Sequence, residues 1–100
     1  MDMLDFLEDA IDQMRVISIT YAPGDRVIEP HALGRTRDGH YVLRAYQTSG
    51  ATSSGKPEGW KLFRVDRIYD ACGLDMKFEF PRPLYNPLDS AMRGGVIAHL

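Results

Sequence analysis

One hundred residues, 44% hydrophobic and 26% charged, suffice for a single modest core and exclude a disordered, collagen-like or coiled-coil chain. No apolar run approaches the roughly 18 residues needed to cross a bilayer. The start Met1-Asp2-Met3-Leu4-Asp5 is acidic where a secretory signal is basic. A lone cysteine, Cys72, can form neither an internal disulfide nor a cysteine-based metal site, and together these features lead us to expect a cytoplasmic protein. The net charge of −2 is unevenly spread. Residues 1–25 carry −5, residues 26–67 carry +4 and residues 68–100 carry −1, so the middle of the chain can steer an anionic partner although the whole is acidic.

Leu4, Leu7, Ala10, Ile11 and Met14 recur at helical spacing with acids between them, which predicts an amphipathic helix over 3–15 with Asp2 as its N-cap. The period then changes to two. Ile17, Ile19 and Tyr21 share one face of a half-buried strand. Ala22-Pro23-Gly24-Asp25 is expected to make a type II turn. A second strand over about 26–37 should bend at Pro30, and Asp38-Gly39 signals a two-residue type I′ hairpin into a third strand, Tyr41–Gln47. Residues 48–58 lack apolar periodicity and are expected to be a mobile loop. Trp60–Val65 and Ile68–Cys72 complete five strands. Their parity conflict requires a bend at Asp66-Arg67. One helix and five short, bent strands predict a mainly β (α+β) domain over 1–80 that closes as a small barrel, followed by an irregular Pro/Gly-containing tail over 81–100. In that tail Asp89–Arg93 can make one helical turn and the apolar end 96–100 can dock on this chain or a neighbour.

Gly50-Ala51-Thr52-Ser53-Ser54-Gly55-Lys56 has the first seven positions of a phosphate-binding P-loop, but Pro57 stands where a hydroxyl residue is needed and a strand follows where a helix should. His31, His40 and His99 lack metal-ligand spacing, and no nucleophile motif surrounds Ser53, Ser54 or Cys72. No catalytic residue, metal or cofactor is therefore expected, and the chain is read as a non-enzyme. The stronger pattern is basic and aromatic. Arg44 and Tyr46 share a face of the third strand, and Arg64 and Arg67 bracket the bend. Guanidinium groups grip phosphate and aromatic rings stack bases, although on the residues alone the simpler account is that Arg64 and Arg67 pair with Asp66 or Asp70 and that Tyr41 belongs to the core.

Several stretches together resemble the WYL domain over roughly residues 3–75. They are Ile17-x-Ile19-x-Tyr21, Arg26-Val27-Ile28-Glu29-Pro30-His31-Ala32-Leu33, Gly39-His40-Tyr41-Val42-Leu43-Arg44-Ala45-Tyr46 and Phe63-Arg64-Val65-Asp66-Arg67-Ile68. The family's name-giving Trp-Tyr-Leu triplet is Tyr41-Val42-Leu43 here. The resemblance implies an Sm-like or SH3-like barrel preceded by a helix. It also implies a sensor module of bacterial and phage regulators that binds nucleic acid or nucleotide-like ligands in transcription, DNA-damage or defence regulation. It puts Arg64 and Arg67 forward as the leading anion contacts, with Tyr41 at the triplet. Strand parity and chemistry add Tyr21, Arg26, His31, Arg44 and Tyr46. Regulators of this kind carry a winged helix-turn-helix ahead of the domain, whereas about fifteen residues precede the first strand here, so reading of an operator is not expected of this segment. Two functions compete. One is a ligand-binding module for single-stranded nucleic acid or a nucleotide; the other is a structural module that oligomerises or docks on a larger regulator without nucleic acid. No membrane partner is expected.

Overall fold

The computed structural model describes residues 1–100 and is mainly β: one helix and an antiparallel sheet of six strands. Helix α1 (Met3–Gln13) begins where the Asp2 side chain accepts the Asp5 N–H and ends where Met14 enters the left-handed region, its N–H reaching the Ala10 and Ile11 carbonyls. Leu7, Ala10 and Ile11 form its buried stripe. The strands are β1 (Arg15–Tyr21), β2 (Gly24–Arg35), β3 (Tyr41–Gly50), β4 (Gly59–Arg64), β5 (Asp70–Lys77) and β6 (Gly95–His99). They are ordered β4-β3-β2-β1-β5, with β6 also paired to β2. No helix is long and apolar enough to cross a membrane.

The expected five-stranded closed barrel is corrected in two respects. No ladder joins β4 to β5, so the sheet curls without closing; between them Val65–Arg67 makes a 3-10 turn, which is the form the expected bend takes. The tail also supplies a sixth strand. β2 is long enough to give its first half to β1 and its second half to β6, with Ile28 opposite Ile17 and Leu33 opposite Ala98. A bulge separates these halves: Pro30 pairs with Ala45 and Ala32 with Arg44, leaving His31 as the extra residue. Inward parity thereby changes from Ile28 and Pro30 to Leu33. The core is one cluster of Leu7, Ile11, Ile17, Ile19, Ile28, Leu33, Leu43, Phe63 and smaller neighbours, over which the helix lies.

Both expected turns differ in detail. The register leaves only Ala22 and a cis Pro23 between Tyr21 and Gly24, a type VI rather than type II arrangement. In the β2–β3 hairpin Thr36 N–H reaches the His40 carbonyl and Gly39 N–H reaches the Thr36 carbonyl, at 2.8 and 3.0 Å. Gly39 has φ +88°, so the loop holds three residues with glycine at its left-handed position. The loop expected over 48–58 is shorter, because β3 continues to Gly50.

At Gly34 an added Cβ would lie 2.6 Å from the Gly95 carbonyl oxygen and 2.9 Å from Met92 Sδ. Gly34→Ala should therefore push β6 off β2 and cost about 1–3 kcal/mol, the usual range for overpacking. Denaturant unfolding would read the cost, and faster amide exchange at Val96 and Ala98 would locate it.

Candidate ligand-binding site

Strand alternation sends the basic side chains to different faces. Arg26, Gln47, Lys61 and Phe63 share the concave parity of Ile28, Ala45 and Leu43, so they line the mouth of the curled sheet. Arg26 is 5% exposed. Its guanidinium donates from Nε to the Tyr21 carbonyl at 3.1 Å, from Nη2 to the Ala22 carbonyl at 2.6 Å and from Nη1 to Gln47 Oε1 at 3.4 Å. It also lies over the rings of Tyr21 and Phe63, 5.2 and 5.5 Å from their centroids. Burial pushes its pKa below the ordinary value, with Tyr21 acting the other way.

Three ion pairs form in the chain, Arg44–Asp89, Arg64–Asp66 and Arg82–Glu29, and neither Arg26 nor Lys61 takes part in one. Above them an open cleft of about 190 Å³ is lined by Tyr21, Arg26, Thr52, Ser54, Lys61 and Phe63, among others. Lys61 Nζ donates to Ser54 Oγ at 3.1 Å and to the Lys56 carbonyl at 2.7 Å, which draws the 51–58 segment over the cleft. Two cations with hydroxyls beside them and no carboxylate in the lining make a site of positive potential that suits an anion.

Of the other expected contacts, Tyr21 lines this cleft and the rest lie outside its lining. Tyr21 packs edge-on against Phe63 at 4.9 Å, and its hydroxyl accepts the Arg64 N–H at 3.2 Å. Arg64 itself turns to Asp66, with Nη2 to Oδ2 at 2.7 Å, and Nη2 also lies 3.1 Å from His40 Nδ1. The Arg64 hydrogen bond holds the exposed Asp66 carboxyl below the usual range. Arg67 is exposed and forms no ion pair. Tyr41 lies under Arg35, 5.5 Å from ring centroid to guanidinium carbon.

Arg44 and Tyr46 do share a face, the convex one, but the tail covers it. Arg44 is clasped by Asp89 at 2.6 and 3.2 Å, and Arg82 lies 4.5 Å over the Tyr46 ring. His31 is 0% exposed with both ring nitrogens occupied, so it is corrected from a ligand contact to a packing residue. An open cavity of about 270 Å³ beside Arg44 and Trp60 has its cation already neutralised by Asp89, which leaves the concave mouth as the better anion site.

A family model of the WYL domain matches residues 2–72. The chain belongs to the WYL domain family. Among solved structures this WYL domain is similar to proteasome accessory factor B/C (PafBC) of Arthrobacter aurescens, with 22% sequence identity and a TM-score of 0.66. The likeness covers 86% of this chain and 13% of that one, and it establishes the shared fold. A search of curated proteins found no match. In this WYL domain the name-giving triplet divides three ways: Tyr41 is 38% exposed, Val42 packs with Ala32 and Met92, and Leu43 is wholly inside the main core.

Sequence reasoning passed over Lys61, Thr52, Ser54 and Gln47. Lys61 had a signal, since it shares parity with Phe63; Thr52 and Ser54 stood in the P-loop-like run that Pro57 disqualified, and it is the fold of their loop that brings them to the strands. Tyr69 was also missed. It is 89% exposed and immediately precedes β5, with its N–H on the Thr20 carbonyl next to the Tyr21 end of β1, where a ring can serve as a stacking platform.

Proposed function

We propose that this WYL domain is the ligand-sensing part of a regulator and that it binds a phosphate-bearing ligand, single-stranded nucleic acid or a nucleotide, without catalysing a reaction. One observation carries the reading: Arg26 and Lys61 share one cleft with hydroxyl side chains and no acidic partner. Arg67 and Tyr69 extend the same end of the sheet as a phosphate contact and a base platform. Family membership supports a place in a regulator, with transcription, DNA damage or defence as its setting.

Titration of a labelled single-stranded oligonucleotide and of a labelled mononucleotide tests this. Two phosphate contacts give a log–log salt slope of about −1.4 on a single strand. Lys61→Ala should weaken binding about tenfold and remove about 0.7 from that slope. Failure of both probes to bind at low salt would remove the reading. A second reading is favoured by the exposed apolar side chains Leu84, Leu88, Val96 and Ile97, which suit docking on a second copy or a larger regulator. It predicts a molar mass by light scattering above that of one chain, or a stable complex with such a regulator.

A further inference from the structure

We propose that residues 79–91 form a strap over the convex face of β2, β3 and β4 that lets go on acidification, when the buried imidazole of His31 takes up a proton, and so uncovers Arg44, Tyr46 and Trp60. The proposal concerns the face opposite the anion cleft and does not depend on what that cleft binds.

Full apolar burial pins the strap at its ends, and between them only the Tyr85 ring packs inward, partly buried against Ala32, Val42 and Met92. Phe78 and Met92 are buried, and nothing between them is. Its own large apolar side chains face solvent, with Phe80 75%, Leu84 92% and Leu88 86% exposed. The other contacts that hold it down are polar. Trp60 Nε1 donates to the Pro83 carbonyl at 3.0 Å, Arg82 pairs with Glu29 at 2.7 and 2.9 Å, Arg44 pairs with Asp89, and the Arg82 N–H donates to His31 Nε2 at 3.0 Å. A segment with little buried apolar area and a few polar clasps belongs to the part of a fold that opens locally.

His31 sits at the root of these clasps. As the extra residue of the β2 bulge it enters the interface between β2 and the strap, stacked on Phe78 at 5.3 Å and edge-on to Trp60 at 4.7 Å, with Tyr85 at 5.2 Å. Nδ1 lies 2.8 Å from the Glu29 carbonyl oxygen and can only donate to it, whereas Nε2 must accept from the Arg82 amide. These roles require the neutral ring. A proton on Nε2 would set one N–H against another and break the Arg82 clasp. The charged groups around the ring are Glu29 on β2 and Arg82 on the strap, already paired with each other. Trp60 and Phe78 bring none, and burial pushes the Tyr85 phenol up, so it stays protonated.

The direction follows from proton linkage. Burial holds His31 below its ordinary pKa of 6.5, helped by Arg82 and opposed by the Glu29 carbonyl and charge. The closed strap thus binds fewer protons than the open one, and opening gains about tenfold per pH unit below about 6.5, until the closed form itself protonates. The Asp89 clasp titrates elsewhere, since hydrogen bonds from Arg44 hold that carboxyl below the usual range.

Hydrogen exchange by NMR on the whole chain from pH 7.5 to 4.5, corrected for the intrinsic exchange rate, tests the device. Protection of the Arg82 amide and the Trp60 indole should fall about tenfold per pH unit below about 6.5, while core amides such as Leu43 keep theirs. Asp89→Asn should raise strap exchange at every pH and preserve the slope, and His31→Gln should abolish the slope. Because His31→Gln can compromise folding, the comparison of strap and core amides in the parent chain stands as a test by itself. Strap and core losing protection together would overturn the proposal. So would strap protection that persists while the ring shifts report a protonated His31, or a slope that disappears in Asp89→Asn.

Discussion

Phe63→Ala is expected to lower the unfolding free energy by about 3–5 kcal/mol, the range for deleting a buried aromatic ring from a packed core. Phe63 is 1% exposed and belongs to the main cluster. Its ring also meets the edge of Tyr21 and lies under the Arg26 guanidinium. Truncation thus opens a cavity at the mouth of the sheet and removes the surface on which both residues rest. Equilibrium denaturant unfolding measures the cost, and in a domain of this size each kcal/mol should appear as about 4–8 °C in Tm. The neighbouring Leu62→Ala is the control. Leu62 is 40% exposed and its loss should cost less than about 1 kcal/mol, so equal effects at the two positions would show that the ring is not a core element.

Arg26→Met should behave in the opposite way, with little effect on stability and a large effect on binding. Methionine keeps most of the apolar stem and removes a buried charge for which the chain supplies no carboxylate. Loss of its bonds to the Tyr21 and Ala22 carbonyls offsets relief of the desolvation penalty, which leaves stability within about 2 kcal/mol of the parent. A phosphate held by a desolvated guanidinium loses about 2–5 kcal/mol when the cation goes, so labelled oligonucleotide or nucleotide should bind at least about 30-fold more weakly. Unchanged affinity in a folded Arg26→Met chain would move the ligand away from this cleft.

Local chemistry made the helix, its Asp2 cap and the first five strands legible in the sequence, because apolar period and turn residues are short-range signals. The bend after β4 was equally visible as a parity conflict between Val65 and Ile68. What stayed hidden depends on distant partners. β6 is five residues long and begins at the second of two glycines; its strand character rests on pairing with Ala32–Arg35 far back in the chain. The same distance concealed Asp89, whose pairing with Arg44 spans 45 residues. Arg64, by contrast, took the neighbouring carboxylate that the sequence itself offered. His31 was misplaced for a different reason: Pro30 announced a bend, but which residue became the extra one, and therefore which way an imidazole turned, was decided by the register against β3.

The sharing of β2 between two partners bears on how this polypeptide can be cut. One flank of that strand is occupied by β1 up to Ile28 and is taken over by β6 from Ala32 onward, so a fragment ending at residue 72, where the family match stops, would leave the amides and carbonyls around Leu33 facing water beside an apolar interior. Bare ladder edges recruit strangers. Anyone preparing a shortened version should therefore find clumping, or dimers zipped through that flank, and should find a synthetic peptide copying residues 95–99 suppressing both.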